Sequence, residues 1–401
     1  SRIGARRLVK VLYVSHTAVV SGAERSLLDL LGALPRTVAP LLATPAGPLQ
    51  VLAQERGIAT TAIVGTAGSL RLHPLHTPRA LAQMAVAGWQ VRRAAARHGA
   101  DVVHANSIRA GIVLAFARLR ATPTIVHVRD CLPRGRVSTA TLRLIAATAT
   151  TVVANSAYTA ASVLAAAPSA RVEVVHNAVD LRRFDPEAID RAQARTRLGR
   201  AGERRLLLGV VAQLSPWKGQ DTAIEALSLL CREGLDAQLL LVGSAKFVAS
   251  STRFDNEDYV ARLHELVAAA DLEDRVSWLG EREDVAQIVR ALDVLLLPSW
   301  EEPFGRALIE AMALGVPVVA TDVGGPREIV QEGREGYLVA PRQPDAWARA
   351  IARVAQSADG GAAMGRAGRE RAAQLFTIAR HVHATLDCYE RAIAQTGGRP
   401  V

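Results

Sequence analysis

The stretch that most restricts the fold is residues 295–321, LLLPSWEEPFGRALIEAMALGVPVVAT. Two continuous apolar runs, 294–297 and 316–320, predict strands of a parallel sheet covered on both faces. Between them Pro303 and Gly305 open a helix expected to reach about Leu314, where Gly315 and Pro317 stop it. A helix entrance beside a glycine presents backbone N–H groups, which suits an anion such as phosphate. Glu302 lies at that entrance and Glu310 eight positions on. At ~1.5 Å of rise per residue they stand about 12 Å apart along the axis. A glycosidase carboxylate pair needs about 5–9.5 Å. The spacing instead suits a grip on both ends of a nucleotide-sugar, with the diphosphate over the helix tip and each carboxylate on hydroxyls.

The remaining chain is consistent with an α/β enzyme of two or three domains. Strands are expected at 8–14, 39–43, 60–64, 101–104, 124–128, 151–154 and 172–175. A second series falls at 205–211, 238–242, 275–278, 294–297, 316–320 and 336–339. Helices are expected between them, including 78–98, 220–232 and 259–270. Two βα series without a sequence repeat argue for twin Rossmann-like domains. Three widely spaced cysteines, Cys131, Cys231 and Cys388, give neither a disulfide framework nor a metal motif and fit a reducing cytoplasm. No apolar run approaches the ~20 residues of a membrane span, and no signal peptide is evident.

Charge is uneven: residues 1–180 carry a net +13 and the remainder −3. An anionic partner of the N-terminal half is one reading, such as membrane lipid or a phosphate-bearing acceptor; a solvated arginine surface is the other. Helix 78–98, with Trp89, Arg92, Arg93 and Arg97, fits either a membrane surface or, preferably, ordinary packing with an arginine-rich outer face. Nothing resembles a nucleic-acid motif. Only Lys10, Lys218 and Lys246 are lysines among 48 basic residues, which makes the loop residue Lys218 notable.

Several short motifs fall at strand ends, where open α/β sheets bind ligands. These are His104 after 101–104, His127-Val128-Arg129-Asp130 after 124–128, and Gln213 to Gly219 after 205–211. His104 is read as a strand-end histidine held by a backbone carbonyl. Arg129 and Asp130 are expected either to touch ligand or to pair with each other. Ser21-Gly22-Ala23-Glu24-Arg25 opens a helix, with Ser21 and Glu24 placed to cap it.

The sequence PSWEEPFGRALIEAMALGVPVVATDVGG resembles the Glu-x7-Glu signature of the family-4 retaining glycosyltransferases, also called glycosyltransferase group 1. That resemblance implies the GT-B fold: two Rossmann-like domains with parallel sheets facing each other across a cleft, and a C-terminal helix crossing back. The boundaries are placed at 1–180 (with 376–401) for the acceptor side and 181–375 for the donor side. His176 to Phe184 resembles the family's interdomain linker, with Ala178 where glycine is usual.

The implied reaction moves a sugar, with retention and without a metal or other cofactor, from a nucleotide-diphosphate sugar, most readily a UDP-sugar, to an acceptor hydroxyl. The acceptor is a sugar, a lipid-linked or a small molecule. The implied catalytic residues are His127, Lys218 and Glu302. The implied donor contacts are Gly22, Ala23, Gln213, Lys218, Arg282, Glu302, Phe304, Gly305, Arg306, Ala307 and Glu310. Gln213 stands where the family usually has arginine, and Arg306 is expected to compensate. The loop 65–77 is a candidate acceptor wall, although His73 and His76 are read first as solvated loop histidines. The expected location is cytoplasmic or peripheral at the inner membrane face. Two other readings share the fold: a sugar-nucleotide 2-epimerase, and a nucleotide-sugar-binding protein of little activity.

Overall fold

The computed structural model describes residues 8–66, 76–245 and 256–396. His73 and Lys246 lie outside the described residues, and His76 enters only as the first residue of a helix. The chain forms two compact units, Ser1–Ala178 with Ile378–Val401, and Val179–Thr377.

The N-terminal unit alternates strand and helix: β1 (Val9–Val14), α1 (Gly22–Gly32), β2 (Val38–Thr44), α2 (Pro48–Glu55), β3 (Ala59–Ala62), α3 (His76–His98), β4 (Val102–Ala105), α4 (Ile108–Ala117), β5 (Thr124–Val128), α5 (Arg136–Thr148), β6 (Thr151–Ala154), α6 (Ala157–Ala166) and β7 (Val172–Val174). Its sheet is parallel throughout, in the order β3-β2-β1-β4-β5-β6-β7. Alternate side chains of each strand feed the two faces. Leu12, Val14, Val103 and Val126 meet α3, α4 and α5 on one side. Val11, Tyr13 and Ile125 meet α1 on the other, together with a helix from the far end of the chain.

The second unit runs α7 (Arg191–Arg197), β8 (Leu206–Val211), α8 (Gln220–Arg232), β9 (Ala237–Val242), α9 (Asn256–Ala269), β10 (Val276–Gly280), α10 (Val285–Ala291), β11 (Val294–Leu297), α11 (Arg306–Ala313), β12 (Val318–Thr321), α12 (Pro326–Ile329), β13 (Gly336–Val339), α13 (Pro344–Ala355) and α14 (Ala362–Leu375). Its parallel sheet has the order β10-β9-β8-β11-β12-β13. Val179 and Thr377, at the ends of this unit, pair in a parallel bridge. The final helix, α15 (Ile378–Gln395), belongs to the N-terminal unit, where Leu386, Tyr389 and Ile393 join its core.

The sheet order reverses direction between β8 and β11, which lie side by side with Leu208 opposite Val294. Connections leaving the carboxyl ends of two such strands diverge to opposite faces and leave a crevice between them. Lys218 and Glu302 follow these two strands. The short apolar strand β11, 0–3% exposed along its length, therefore serves as a rigid mount for the loop that ends in Gly305.

Candidate functional site

At this crevice two loops lie against each other. The first, after β8, makes a 3-10 turn over Pro216–Lys218, and α8 begins only at Gln220. Lys218 therefore lies in the turn just ahead of that helix. The second loop, 298–305, delivers α11, which begins at Arg306 and ends at Ala313 with Leu314 capping it. The Trp300 N–H donates to the Trp217 carbonyl at 2.9 Å and ties the loops together. Lys218 Nζ then donates to Glu302 Oε2 at 2.7 Å, and Ser299 Oγ donates to the same oxygen at 3.0 Å. The two charged side chains are only 13% and 9% exposed. Among the described residues Oε1 of Glu302 accepts no hydrogen bond, so one carboxylate oxygen remains available to a ligand hydroxyl. The Lys218 ammonium also lies 3.8 Å from the centroid of the Trp217 ring, whose face attracts cations.

Two glycines make this approach possible. Gly219 has φ +70°, and a Cβ there would fall 2.0 Å from the Pro298 carbonyl oxygen. Gly324 has φ +100°, and a Cβ there would fall 2.0 Å from the Glu302 carbonyl oxygen. Neither position has room for a side chain. Gly324 also bridges Glu302, whose carbonyl accepts from the Gly325 N–H at 2.9 Å. The loop carrying Glu302 is thus held from both sides.

The other expected donor residues divide. Gly305 caps α11 with φ +105°, and Arg306 and Ala307 form its first turn, whose amides point out of the helix end. Phe304 is 2% exposed and packs edge-on against Phe376, 5.9 Å between centroids. It anchors the loop in the core, so only its backbone can face a ligand. Arg306 reaches along its own helix to Glu310 at 3.4 Å. The Gln213 carbonyl accepts from Gln220 Nε2 at 2.9 Å. Arg282 binds Asp284 through both Nε and Nη2, at 2.7 and 2.6 Å.

In the N-terminal unit, His127 is the penultimate residue of β5 and is 1% exposed. Neither ring nitrogen has a hydrogen-bonding partner among the described residues. Burial, followed by the nearby Arg129, His104 and His381, pushes its pKa well below the ordinary histidine value, so it is neutral at pH 7. His104 departs from expectation. Its Nδ1 meets the Tyr389 hydroxyl of α15 at 2.6 Å rather than a backbone carbonyl, and Tyr389 donates onward to Tyr13 at 3.1 Å. Burial lowers His104 to about 3. Arg129 donates to Asn106, Ser26 and Asn177 at 3.1, 3.1 and 2.7 Å, part of a buried polar web under the strand ends. Glu24 folds back onto the N–H of Ser21 at 3.1 Å and onto its hydroxyl, a reciprocal cap at the entrance formed by Gly22 and Ala23.

Sequence reasoning overlooked several contributors. Ser299 had a local signal, a hydroxyl three residues before Glu302. His16 had a weaker one, as the second residue after β1; it bonds Ser107 at 2.9 Å and burial lowers it to about 3. Tyr13 and Tyr389 had none, because their pairing joins residues 376 positions apart.

Comparison with known proteins agrees with this geometry. The family profile "Glycosyl transferases group 1" matches residues 190–371, and "Glycosyltransferase Family 4" matches residues 20–183. A D-inositol 3-phosphate glycosyltransferase from Nocardioides sp. is 32% identical over 315 residues, covering 74% of this chain and 68% of that protein. One of the same name from Mycobacterium marinum is 36% identical, covering 58% of this chain and 48% of that protein. The chain thus spans about half the length of several curated relatives it matches. The crystal structure of Anabaena HepE in complex with UDP and glucose superposes with a TM-score of 0.80 at 27% identity, covering 95% of this chain and 99% of that one. Together with the two parallel-sheet units, this likeness shows the GT-B fold. The chain belongs to the group 1, family-4 glycosyltransferases.

Proposed function

We propose that this glycosyltransferase transfers a hexose from a UDP-sugar to an acceptor hydroxyl, with retention of anomeric configuration and without a metal ion. The observation that carries the reading is the Lys218–Glu302 pair at the entrance of α11, formed by loops that meet where the strand order reverses. Breaking a glycosyl–phosphate bond leaves negative charge on the diphosphate and positive charge on the sugar, so fixed cations and amides belong at the phosphate end. Lys218 and the Gly305–Arg306–Ala307 amides have that character. Glu302 Oε1 would take a sugar hydroxyl and Glu310 a ribose hydroxyl. His127 and the Gly22–Ala23 helix entrance are assigned to substrate contact in the N-terminal unit; a neutral, hydrogen-bond-ready imidazole suits a carbohydrate hydroxyl. The UDP donor is supported by HepE, whose structure holds UDP and glucose, and retention by the family resemblance. Attack on the same face as the departing phosphate follows from retention in a site whose buried acid is already engaged by a cation.

A thermal-shift screen of UDP-, GDP-, ADP- and dTDP-sugars tests the donor, since specific binding stabilises by mass action. Turnover with the stabilising donor follows, over acceptors that include D-inositol 3-phosphate, the name carried by the curated relatives. Nuclear magnetic resonance of the anomeric proton reads retention, and EDTA reads metal independence. Stabilisation by a non-uridine donor alone, an inverted product, or loss of turnover in EDTA overturns the corresponding part.

A further inference from the structure

Helix α3 fills its place in the core with Met84, Ala87, Val91, Ala94 and Ala95. Its opposite face was expected to be arginine-rich, yet it opens with large apolar groups. Leu81, Val86 and Trp89 are 48, 47 and 58% exposed. Val86 and Trp89 lie about one turn apart and Leu81 lies toward the edge of the same outward face. They are not displaced core residues, because the inward stripe is already complete. Arg92 and Arg93 continue the same face, and the Arg93 guanidinium lies 5.5 Å from the centroid of the Trp89 ring. The neighbouring helix α4 enlarges the patch. A Cβ on Gly88 would sit 2.8 Å from the Phe116 Cβ, so Phe116, itself 39% exposed, lies against the α3 backbone beside Trp89. Arg118 and Arg120 follow it, both exposed. Between residues 76 and 167 the chain carries eleven arginines and two acids, Asp101 and Asp130. Neither acid lies on a helix.

We propose that the α3–α4 face docks on an anionic lipid bilayer. Tryptophan and aliphatic side chains flanked by arginines, on one outward helix face, match the interfacial layer of a membrane: the rings and methyls enter the acyl boundary while the guanidinium groups meet lipid phosphates. A nucleic acid would answer the charge but gives aliphatic side chains little, since such interfaces are polar and wet. A second copy of the chain would bring two positive patches together. No helix among the described residues is long and apolar enough to cross a membrane.

The test is flotation of the protein with mixed phosphatidylcholine–phosphatidylglycerol vesicles and with pure phosphatidylcholine vesicles. Binding is expected to the anionic vesicles, to weaken as salt rises, and to fall at least about tenfold in an Arg92→Glu/Arg93→Glu variant. Quenching of tryptophan fluorescence by brominated lipid is expected in the wild type and lost in Trp89→Ser. A cooperative thermal melt without added ligand is measured alongside on every variant to show that each remains folded. Absence of anionic-vesicle binding, binding unchanged in both variants, or lipid quenching that survives Trp89→Ser overturns the proposal. So does binding to a DNA duplex that depends on the arginines but not on Trp89. The vesicle and quenching outcomes do not depend on which donor or acceptor the enzyme uses.

Discussion

Replacing Lys218 with methionine probes the site most directly. Its ammonium and the Glu302 carboxylate are 2.7 Å apart and largely shielded from water. At an effective dielectric of ~20 their attraction at that distance is about 6 kcal/mol; in bulk water it is about 1.5 kcal/mol. Desolvation of both ions offsets much of this, so the intact pair stabilises the fold only modestly. Removing one partner strands the other, at a cost of about 3–5 kcal/mol when burial is complete. The remaining exposure and the Ser299 hydroxyl reduce the expected loss to about 2–3 kcal/mol. For a unit of roughly 200 residues that lowers Tm by about 5–10 °C. Adding Glu302→Gln should restore more than half of the loss, because the stranded charge is gone. Activity should respond differently. Both single variants and the double variant should lose ~10²–10³-fold in kcat with the stabilising donor, as expected when a fixed group facing developing charge is removed. Melting curves and turnover on all four proteins form the cycle. A melt of Lys218→Met within about 2 °C of the parent, additive losses in the double variant, or turnover that recovers with stability would refute the argument.

Four further outcomes follow from the geometry. Gly324→Ala should destabilise by at least ~2 kcal/mol and abolish donor stabilisation in a thermal-shift assay, because φ +100° and a 2.0 Å approach to the Glu302 carbonyl leave no place for a methyl group; a soluble variant with unchanged donor affinity contradicts this. His127→Gln should cut kcat by about 10²-fold, and the wild-type pH–rate profile should show no histidine inflection between about pH 6 and 8, since His127 is already neutral there. Arg306→Ala should raise KM for the donor several-fold, roughly 1 kcal/mol, by freeing Glu310; unchanged turnover and donor affinity would exclude any part for Arg306 in compensating for Gln213. Finally, His16, His104 and His127 all have folded pKa values depressed by burial. The unfolded chain therefore binds more protons between those values and about 6.5. Stability should be level above about pH 7 and fall as pH drops below 6.5, by up to ~1.4 kcal/mol per pH unit for each histidine. Urea midpoints at about pH 7.5 and 5.5 that coincide would show that these rings are accessible when folded.

How much of this was legible in advance depended on the range of the interaction. Strands such as β11 and β13 and helix α8 were placed at their observed limits, because apolar runs, helix periodicity and flanking glycines are local signals. Glu302, Glu310 and Lys218 could be named because their spacing and loop context are local too. The hydrogen bond from Lys218 to Glu302 spans 84 residues, and only the sheet order, with β8 beside β11, creates it. Phe304 was read as part of the ligand surface because its neighbours are, whereas its side chain turns into the core. The glycines at 219 and 324 stand in the sequence without announcing what crosses them; the obstructing atom in each case is a carbonyl oxygen from a distant loop. The outer face of α3 was read by its arginines, and the fate of Trp89 became clear only when the inward stripe was seen to be full.

The composition of the N-terminal unit bears on how the polypeptide matures. Its β1, β4 and β5 core is sealed by α15, through Tyr389, Leu386 and Ile393, yet about 200 residues of the other unit intervene. At ~5–20 residues per second a ribosome needs roughly 10–40 s to produce them. During that interval the first-made sheet waits with one flank covered by α1 but not yet by α15. The second unit, contiguous in the chain, can close as soon as it emerges. Order of synthesis and order of completion are thus reversed, and the nascent first half is the stage at which a chaperone would have the most apolar surface to hold.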